Sequence, residues 1–211
     1  MKKMICLLSV IACCLAAFAQ TPQEIVARME SEMDKHESEG MIMTVATKMP
    51  IVGTVTMKNY ILGDKMRSET KLLGQDVIMF TDGVTEWTCM PKANKIKITN
   101  HGESSSSGSS ENESEMFSDI TDGYDLTLSR ETADAWYFTC KKSKSNKDKD
   151  APKTIDLAVS KGTYYPKLLK AKASGITITL SDVSFGVDEK FVTFNLNDYP
   201  GAEVEDAREK K

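Results

Sequence analysis

Residues 77–98, VIMFTDGVTEWTCMPKANKIKI, contain three short apolar segments separated by two tight turns. The first turn is Asp82-Gly83, a dipeptide favoured where a hairpin needs a positive φ angle. The second turn is Pro91-Lys92-Ala93-Asn94, and it follows a segment that carries Trp87. Successive strands joined by such short turns pair as antiparallel neighbours. The stretch therefore predicts a β-meander, a unit from which barrels and curved sheets are built.

Alternation of apolar and polar residues, the period-two pattern of a strand, continues over most of the chain. About a dozen short strands and one leading helix predict a mainly β protein. We expect a curled antiparallel sheet, or half-open β-barrel, with a helical lid. The predicted strands are Met41–Met49, Val52–Tyr60, Lys65–Lys71, Asp76–Thr81, Glu86–Met90, Lys95–Thr99, Tyr124–Arg130, Ala135–Lys142, Thr154–Ser160, Tyr164–Ala173, Thr177–Phe185 and Phe191–Leu196.

An amphipathic helix is predicted ahead of the sheet. Thr21-Pro22-Gln23-Glu24 is a capping box with proline at the first helical position. The helix should run to about His36, and its apolar stripe consists of Ile25, Val26, Met29 and Met33.

The first residues of the chain resemble a secretory signal peptide over 1–19. Lys2 and Lys3 precede an apolar run, and Ala17-Phe18-Ala19 is a small-x-small cleavage site. We expect export to the periplasm and a single domain over 20–211. Removing 19 of the 211 residues takes away two lysines and no acid, so the formal charge of −4 becomes −6. An acidic chain argues against nucleic acid as a partner. In the alternative interpretation, Cys13 lies in a lipobox and carries a lipid anchor.

Two segments fall outside the strand pattern. Residues 101–115, HGESSSSGSSENESE, have no apolar side chain to bury and predict a mobile loop. The Met116–Ile120 segment predicts one or two helical turns. Residues 141–153, KKSKSNKDKDAPK, form a lysine-rich loop, either a docking patch for an acidic partner or membrane surface, or simply a solvated loop.

Catalytic and metal-binding motifs are absent from the sequence. It has no H-x-x-x-H or C-x-x-C spacing, no G-x-S-x-G motif and no glycine-rich phosphate loop. We therefore expect no enzyme activity, no metal and no cofactor. Two cysteines, Cys89 and Cys140, remain after signal cleavage, and they either form a disulfide or lie buried as free thiols.

The pattern D-G-x-x-x-W-x-x-x-P-x-x-x-K over residues 82–95 resembles the early hairpins of the periplasmic outer-membrane lipoprotein carrier superfamily, the LolA/LolB-like proteins. The similarity continues in Tyr165-Pro166-Lys167-Leu168, in Phe191-Val192-Thr193-Phe194 and in the Pro200-Gly201 tail. The order of these motifs covers nearly the whole mature chain. Lys58-Asn59-Tyr60 lacks the proline usual in the family, which indicates a divergent member.

The resemblance implies a carrier or chaperone that sequesters acyl chains of lipoproteins, or other lipids, in an apolar concave cavity. Ten methionines in the mature chain suit such a surface, although methionine also fills gaps in ordinary cores. The implied partners are an inner-membrane donor and an outer-membrane acceptor protein, with the carrier a monomer. Two alternatives stay open: an envelope sensor or protein-interaction module of the same fold, and a lipid-anchored acceptor modified at Cys13.

The candidate cavity wall consists of Met43, Met79, Trp87, Leu126, Phe138 and Ile178. The candidate lid or gate consists of Arg67, Met116, Phe117 and Ile120. Arg67 matches an arginine-bearing strand of the family and is expected near the cavity mouth, where it would bind lid carbonyls. Alternatively, Arg67 is a surface residue that pairs with Glu69. Strand register decides which side chains share a face, and a shift of one residue moves them to the other side.

Overall fold

The computed structural model describes residues 20–102 and 120–208. The expected signal peptide, Met116, Phe117 and the Ser/Glu-rich loop beyond Gly102 lie outside these ranges. Within them, one unclosed sheet of twelve strands has the order β12-β6-β5-β4-β3-β2-β1-β11-β10-β9-β8-β7. Its strands are β1 (Met41–Met49), β2 (Gly53–Leu62), β3 (Lys65–Leu72), β4 (Gln75–Thr81), β5 (Thr85–Met90), β6 (Lys95–Asn100), β7 (Tyr124–Glu131), β8 (Ala135–Lys142), β9 (Thr154–Ser160), β10 (Pro166–Ala173), β11 (Ile176–Phe185) and β12 (Glu203–Asp206).

The predicted fold class is confirmed: the protein is mainly β, with one long helix and a large curled sheet. Strands β1 to β11 fall where the alternation predicts them, and each pairs antiparallel with its neighbours. Only β12 pairs parallel, to β6. No helix of the described residues is long and apolar enough to cross a membrane.

The N-terminal helix α1 (Pro22–Lys35) begins with the predicted capping box. The Glu24 amide donates to Thr21 Oγ1 at 3.2 Å, and the Thr21 amide donates to Glu24 Oε2 at 2.7 Å. Ile25, Val26 and Met29 are buried against one face of the sheet, which we call the helix face. The helix-face core also contains Met41, Met43, Val45, Ile61, Phe138, Cys140, Ile155, Leu157, Val159, Leu169 and Leu180.

The prediction of a last strand at Phe191–Leu196 is wrong. The chain instead forms a short helix, α2 (Glu189–Val192), and a 3₁₀ turn at Leu196–Asp198. Asp188 starts α2, because its carboxylate accepts a hydrogen bond from the Lys190 amide at 2.8 Å. The chain then crosses the face opposite α1, which we call the tail face.

Aromatic contacts hold this C-terminal segment on the tail face. Phe191 meets Tyr60 edge-on with ring centroids 4.7 Å apart, and Phe194 stacks on Trp87 at 5.0 Å. A second core of Phe80, Cys89 and Ile96 lies beneath the segment. The sheet is thus covered by α1 on one face and by the chain's C-terminal segment on the other.

The structure answers the question of the two cysteines: both are free and buried. Cys140 belongs to the helix-face core and Cys89 to the tail-face core. The two thiols therefore lie on opposite sides of the sheet and do not meet.

We expect both thiols to be unreactive until the protein unfolds. Burial raises the pKa of Cys89 and of Cys140 to about 11, so little thiolate forms at neutral pH. Titration of the exported chain with a thiol reagent should detect no fast-reacting group in buffer and two groups in denaturant. Since unfolded thiols ionise near 9, stability should fall as the pH rises from about 9 to about 11. Absence of free thiol in denaturant would instead reveal a disulfide.

Candidate functional site

The helix face divides into an apolar half and a polar half. Side chains that stand directly opposite each other on paired strands share a face, so rows can be followed across the sheet. One row runs over Val45, Leu180, Leu169, Leu157, Phe138 and Leu128. All six are apolar, and α1 lies over this half of the face.

Four candidate wall residues occupy the apolar half. Met43 and Phe138 are fully buried beneath α1. Leu126 packs partly buried against the same core at the edge strand. Ile178 shares this face but sits at the end of the sheet and is 43% exposed. The apolar surface beneath α1 is therefore filled by the helix side chains themselves.

The polar half lies over β2 to β6 and was not predicted from the sequence. Its side chains include Asn59, Ser68, Thr81, Glu86 and Thr99, all nearly inaccessible to solvent. Ser68 Oγ donates to Asn59 Oδ1 at 2.8 Å, and Thr81 Oγ1 lies 3.1 Å from His101 Nδ1. Breaking the hydrogen bond of a buried polar group costs several kcal/mol, roughly 2–7 by transfer scales. An acyl chain has no donor or acceptor along its length with which to replace such a bond. The alternate polar residues along β3, β5 and β6, which are Ser68 and Thr70, Glu86 and Thr88, and Lys97 and Thr99, were the available signal.

Met79 belongs to this polar half, where it stands opposite Ser68. Trp87 lies on the other face altogether, because it pairs with Phe80 and Ile98 rather than with Met79. The expected placement of Trp87, on the cavity side or its rim, is thus corrected: the register of β4 and β5 puts Trp87 on the tail face, opposite Phe80.

Arg67 also lies on the tail face, away from the helix-face core. Its guanidinium carbon is 4.0 Å from the ring centre of Phe191 and 5.2 Å from that of Phe80. Arg67 Nη2 pairs with Glu69 Oε1 at 2.7 Å, which is the alternative that the sequence left open. The expected position at the cavity mouth is corrected: Arg67 contacts the C-terminal segment through the Phe191 ring. Among the gate candidates, Ile120 packs against the helix-face core.

Polar contacts anchor both ends of α1. At its start, Tyr164 Oη donates to Gln20 Oε1 at 3.1 Å, and the Arg28 guanidinium carbon sits 4.1 Å from the centre of the Tyr164 ring. At its end, Tyr165 Oη lies 2.8 Å from His36 Nε2. His36 Nδ1 is 2.8 Å from Glu39 Oε1, so in the neutral ring Nδ1 donates to Glu39 and Nε2 accepts from Tyr165. Both ends of α1 are thus held to the 161–165 turn, by Tyr164 and Tyr165.

The tail face carries an open groove of about 460 Å³. Its lining is mainly apolar and aromatic, and consists of Ile42, Tyr60, Gly186, Val187, Asp188, Lys190 and Phe191. None of the expected site residues lines it. In residues 20–102 and 120–208, no three His, Cys, Asp or Glu side chains gather in a way that could hold a metal ion.

No family model and no curated protein sequence match the chain. Several solved structures, in contrast, do match the chain. An uncharacterised conserved protein from Thermus thermophilus is 16% identical with a TM-score of 0.46, and the match covers 89% of this chain and 99% of that one. A LolA superfamily protein from Nitrosomonas europaea is 14% identical with a TM-score of 0.33, covering 83% and 99%. A chain of the Pseudomonas aeruginosa MucA/MucB complex is 13% identical with a TM-score of 0.41, covering 81% and 61%.

The structure is therefore similar to members of the superfamily that the sequence resembles, but only distantly. Every one of these TM-scores lies below 0.5.

Proposed function

We propose that the protein is an exported carrier that takes up an acyl chain between α1 and the apolar half of the helix face. The observation that carries the proposal is the methionine-rich layer between helix and sheet. Met29, Met33, Met41 and Met43 belong to it, and Met66 packs against it at the border with the polar half. Methionine side chains are flexible and polarisable, so a surface rich in them can repack around ligands of different shape.

The energetics of exchange support this function. Undocking α1 exposes Ile25, Val26 and Met29, at about 1.5–3 kcal/mol for each side chain. An acyl chain that buries eight to ten methylenes in their place contributes about 0.8 kcal/mol for each, or roughly 6–8 kcal/mol. The two sums are of similar size. The sheet can therefore pass between a helix-covered and a lipid-covered state, and a receptor that favours either state would load or unload it.

Export fits this role, because a carrier of hydrophobic cargo works between two membranes of the cell envelope. The proposed periplasmic location rests on the signal-like residues 1–19. A donor at the inner membrane and an acceptor at the outer membrane are the corresponding partners.

Release of the helix should strengthen lipid binding. Tyr165→Phe removes the hydroxyl that bonds to His36 at 2.8 Å, which weakens the covered state by about 1 kcal/mol. We expect about fivefold tighter binding of a long-chain acyl lipid, measured by displacement of an apolar fluorescent dye from the lipid-stripped exported chain. Tyr137→Phe is the matched control, since Tyr137 lies on the face of β8 opposite Phe138, away from α1, where its ring contacts Arg130. A folded protein without saturable dye or lipid binding would refute the carrier function.

A second candidate function, strand addition by a partner peptide, is favoured by the edge strand β7. In the described part of the chain, β7 pairs with β8 alone. Its pairing is regular from Tyr124 to Leu128 and is interrupted by a bulge before Arg130. A five-residue regular edge suits main-chain pairing with an extended peptide. This function predicts protein binding that persists when no lipid is bound.

A further inference from the structure

The two ends of the sheet carry opposite charge. At one end lie the turns at 50–52, 73–74, 91–94 and 174–175 and the loop at 143–153, as the antiparallel order requires. We call this the basic end. At the other end lie the turns at 63–64, 82–84, 132–134, 161–165 and 186–188, which we call the acidic end.

Three lysines at the acidic end are paired with carboxylates. Lys65 pairs with Glu189 at 2.6 Å, Lys161 with Glu131 at 2.6 Å, and Lys167 with Asp134 at 2.5 Å. This end also contains Asp64, Asp82 and Asp188. Its surface is therefore balanced or negative.

The basic end has a different balance. Nine lysines there have no carboxylate oxygen within 4 Å among the described residues: Lys48, Lys141, Lys142, Lys144, Lys147, Lys149, Lys153, Lys170 and Lys172. Asp76 and Glu203 also lie at this end, but they are paired with Lys71, Lys92 and Lys95. The nine lysines outnumber the five nearby aspartates outside these ion pairs, which are Asp122, Asp125, Asp148, Asp150 and Asp156. A chain with a formal net charge of −4 thus concentrates unpaired positive charge at one end.

Apolar side chains project from the same end. In the β1–β2 turn, Ile51 is 98% exposed and Val52 is 70% exposed. Leu73, in the β3–β4 turn, is fully exposed. Ile176 follows the β10–β11 turn, which touches the β1–β2 turn: a Cβ on Gly175 would lie 3.8 Å from Pro50 Cγ. These turns are adjacent in the strand order, so the exposed side chains form one row.

We propose that the basic end docks on the surface of an anionic phospholipid bilayer. Aliphatic turn tips enter the interface between headgroups and acyl chains, and the surrounding lysines bind the lipid phosphates. The charge polarity of the sheet orients the molecule, with the acidic end directed away from the membrane. This docking surface is separate from the helix face and does not depend on the acyl-carrier proposal.

The test is co-sedimentation of the exported chain with phosphatidylcholine vesicles that contain or lack phosphatidylglycerol. Binding should need the anionic lipid and should weaken as salt rises, since the attraction is screened over about 10 Å at 0.1 M salt. Each lysine near the surface contributes about fivefold in affinity, so K144Q/K147Q should weaken binding by about 25-fold. The matched control is K190Q, because Lys190 is exposed at the acidic end and, among the described residues, has no carboxylate oxygen within 4 Å. The control should bind normally.

Insertion of the tips is tested by labelling. Ile51→Cys, tagged with an environment-sensitive dye, should show a blue-shifted emission with anionic vesicles. Val84→Cys is the matched control, because Val84 is 72% exposed in a turn of the acidic end; its dye should not respond. The buried native thiols should not compete for the label.

Three results would overturn the docking proposal. They are equal binding to neutral and anionic vesicles, an equal response of the dyes at 51 and 84, and binding to a soluble polyanion such as heparin without binding to vesicles. The carrier function would survive each of them, because dye displacement in solution needs no bilayer.

Discussion

Phe138→Ala should lower the free energy of unfolding by about 3–5 kcal/mol, the range for truncation of a fully buried phenylalanine. Phe138 is 1% exposed and stands between Leu157 and Leu128 in the apolar row of the helix face. Truncation removes the contacts of the Phe138 ring and leaves a cavity beneath α1. The cavity cannot close, because β8 is held in place by pairing with β7 and β9. At about 2–4 °C for each kcal/mol in a chain of this size, the thermal midpoint should fall by roughly 10 °C.

The matched control is Leu128→Ala on the neighbouring strand. Leu128 is apolar and shares the row with Phe138, but it is 41% exposed at the edge of the sheet. Its truncation should cost less than about 1 kcal/mol. Denaturant unfolding of both variants measures the difference. Equal losses would mean that the helix face is not a packed core, and that α1 leaves it open for much of the time.

The strands and the first helix could be predicted because their signals are local. Alternation reveals a strand without any knowledge of its neighbours, and the capping box at Thr21 contains both partners within four residues. Short turns then dictate antiparallel order. For this reason β1 to β11 were predicted close to their observed positions.

The faces of the strands could not be predicted with the same success, because a face depends on register between strands. Met79 and Trp87 were assigned to one surface. The β4–β5 turn instead pairs Met79 with Thr88 and Phe80 with Trp87, so these two candidates lie on opposite sides. Arg67 follows Trp87 to the tail face for the same reason.

The C-terminal segment was predicted incorrectly because two signals compete in it. Phe191-Val192-Thr193-Phe194 consists of aromatic and β-branched residues, the types that favour strands. Phe191 and Phe194 are also three residues apart, and Asp188-Glu189 precedes them as a helix start. The tail-face aromatic surface selects the second pattern, since it brings both rings into contact with the sheet.

Phe194→Ala should detach the C-terminal segment from the tail face and cost about 2–3 kcal/mol, somewhat less than a fully buried phenylalanine. Phe194 stacks on Trp87 at 5.0 Å and lies within 6.0 Å of the Phe80 and Tyr199 rings. Truncation removes all three contacts at once, so the chain from α2 to β12 loses its central attachment. Trp87 should then become more exposed and its fluorescence should shift to longer wavelength.

Limited proteolysis reports this detachment directly. Trypsin should cut after Lys190 faster in Phe194→Ala than in the parent protein, because a protease needs a locally unfolded segment. Leu196→Ala is the control from the same segment: Leu196 is 51% exposed, so its truncation should change stability by less than about 0.5 kcal/mol. If Phe194→Ala unfolds the whole protein at a single midpoint with no prior cleavage at Lys190, the tail and the sheet form one cooperative unit. The segment would then be an integral part of the core rather than a strap laid over it.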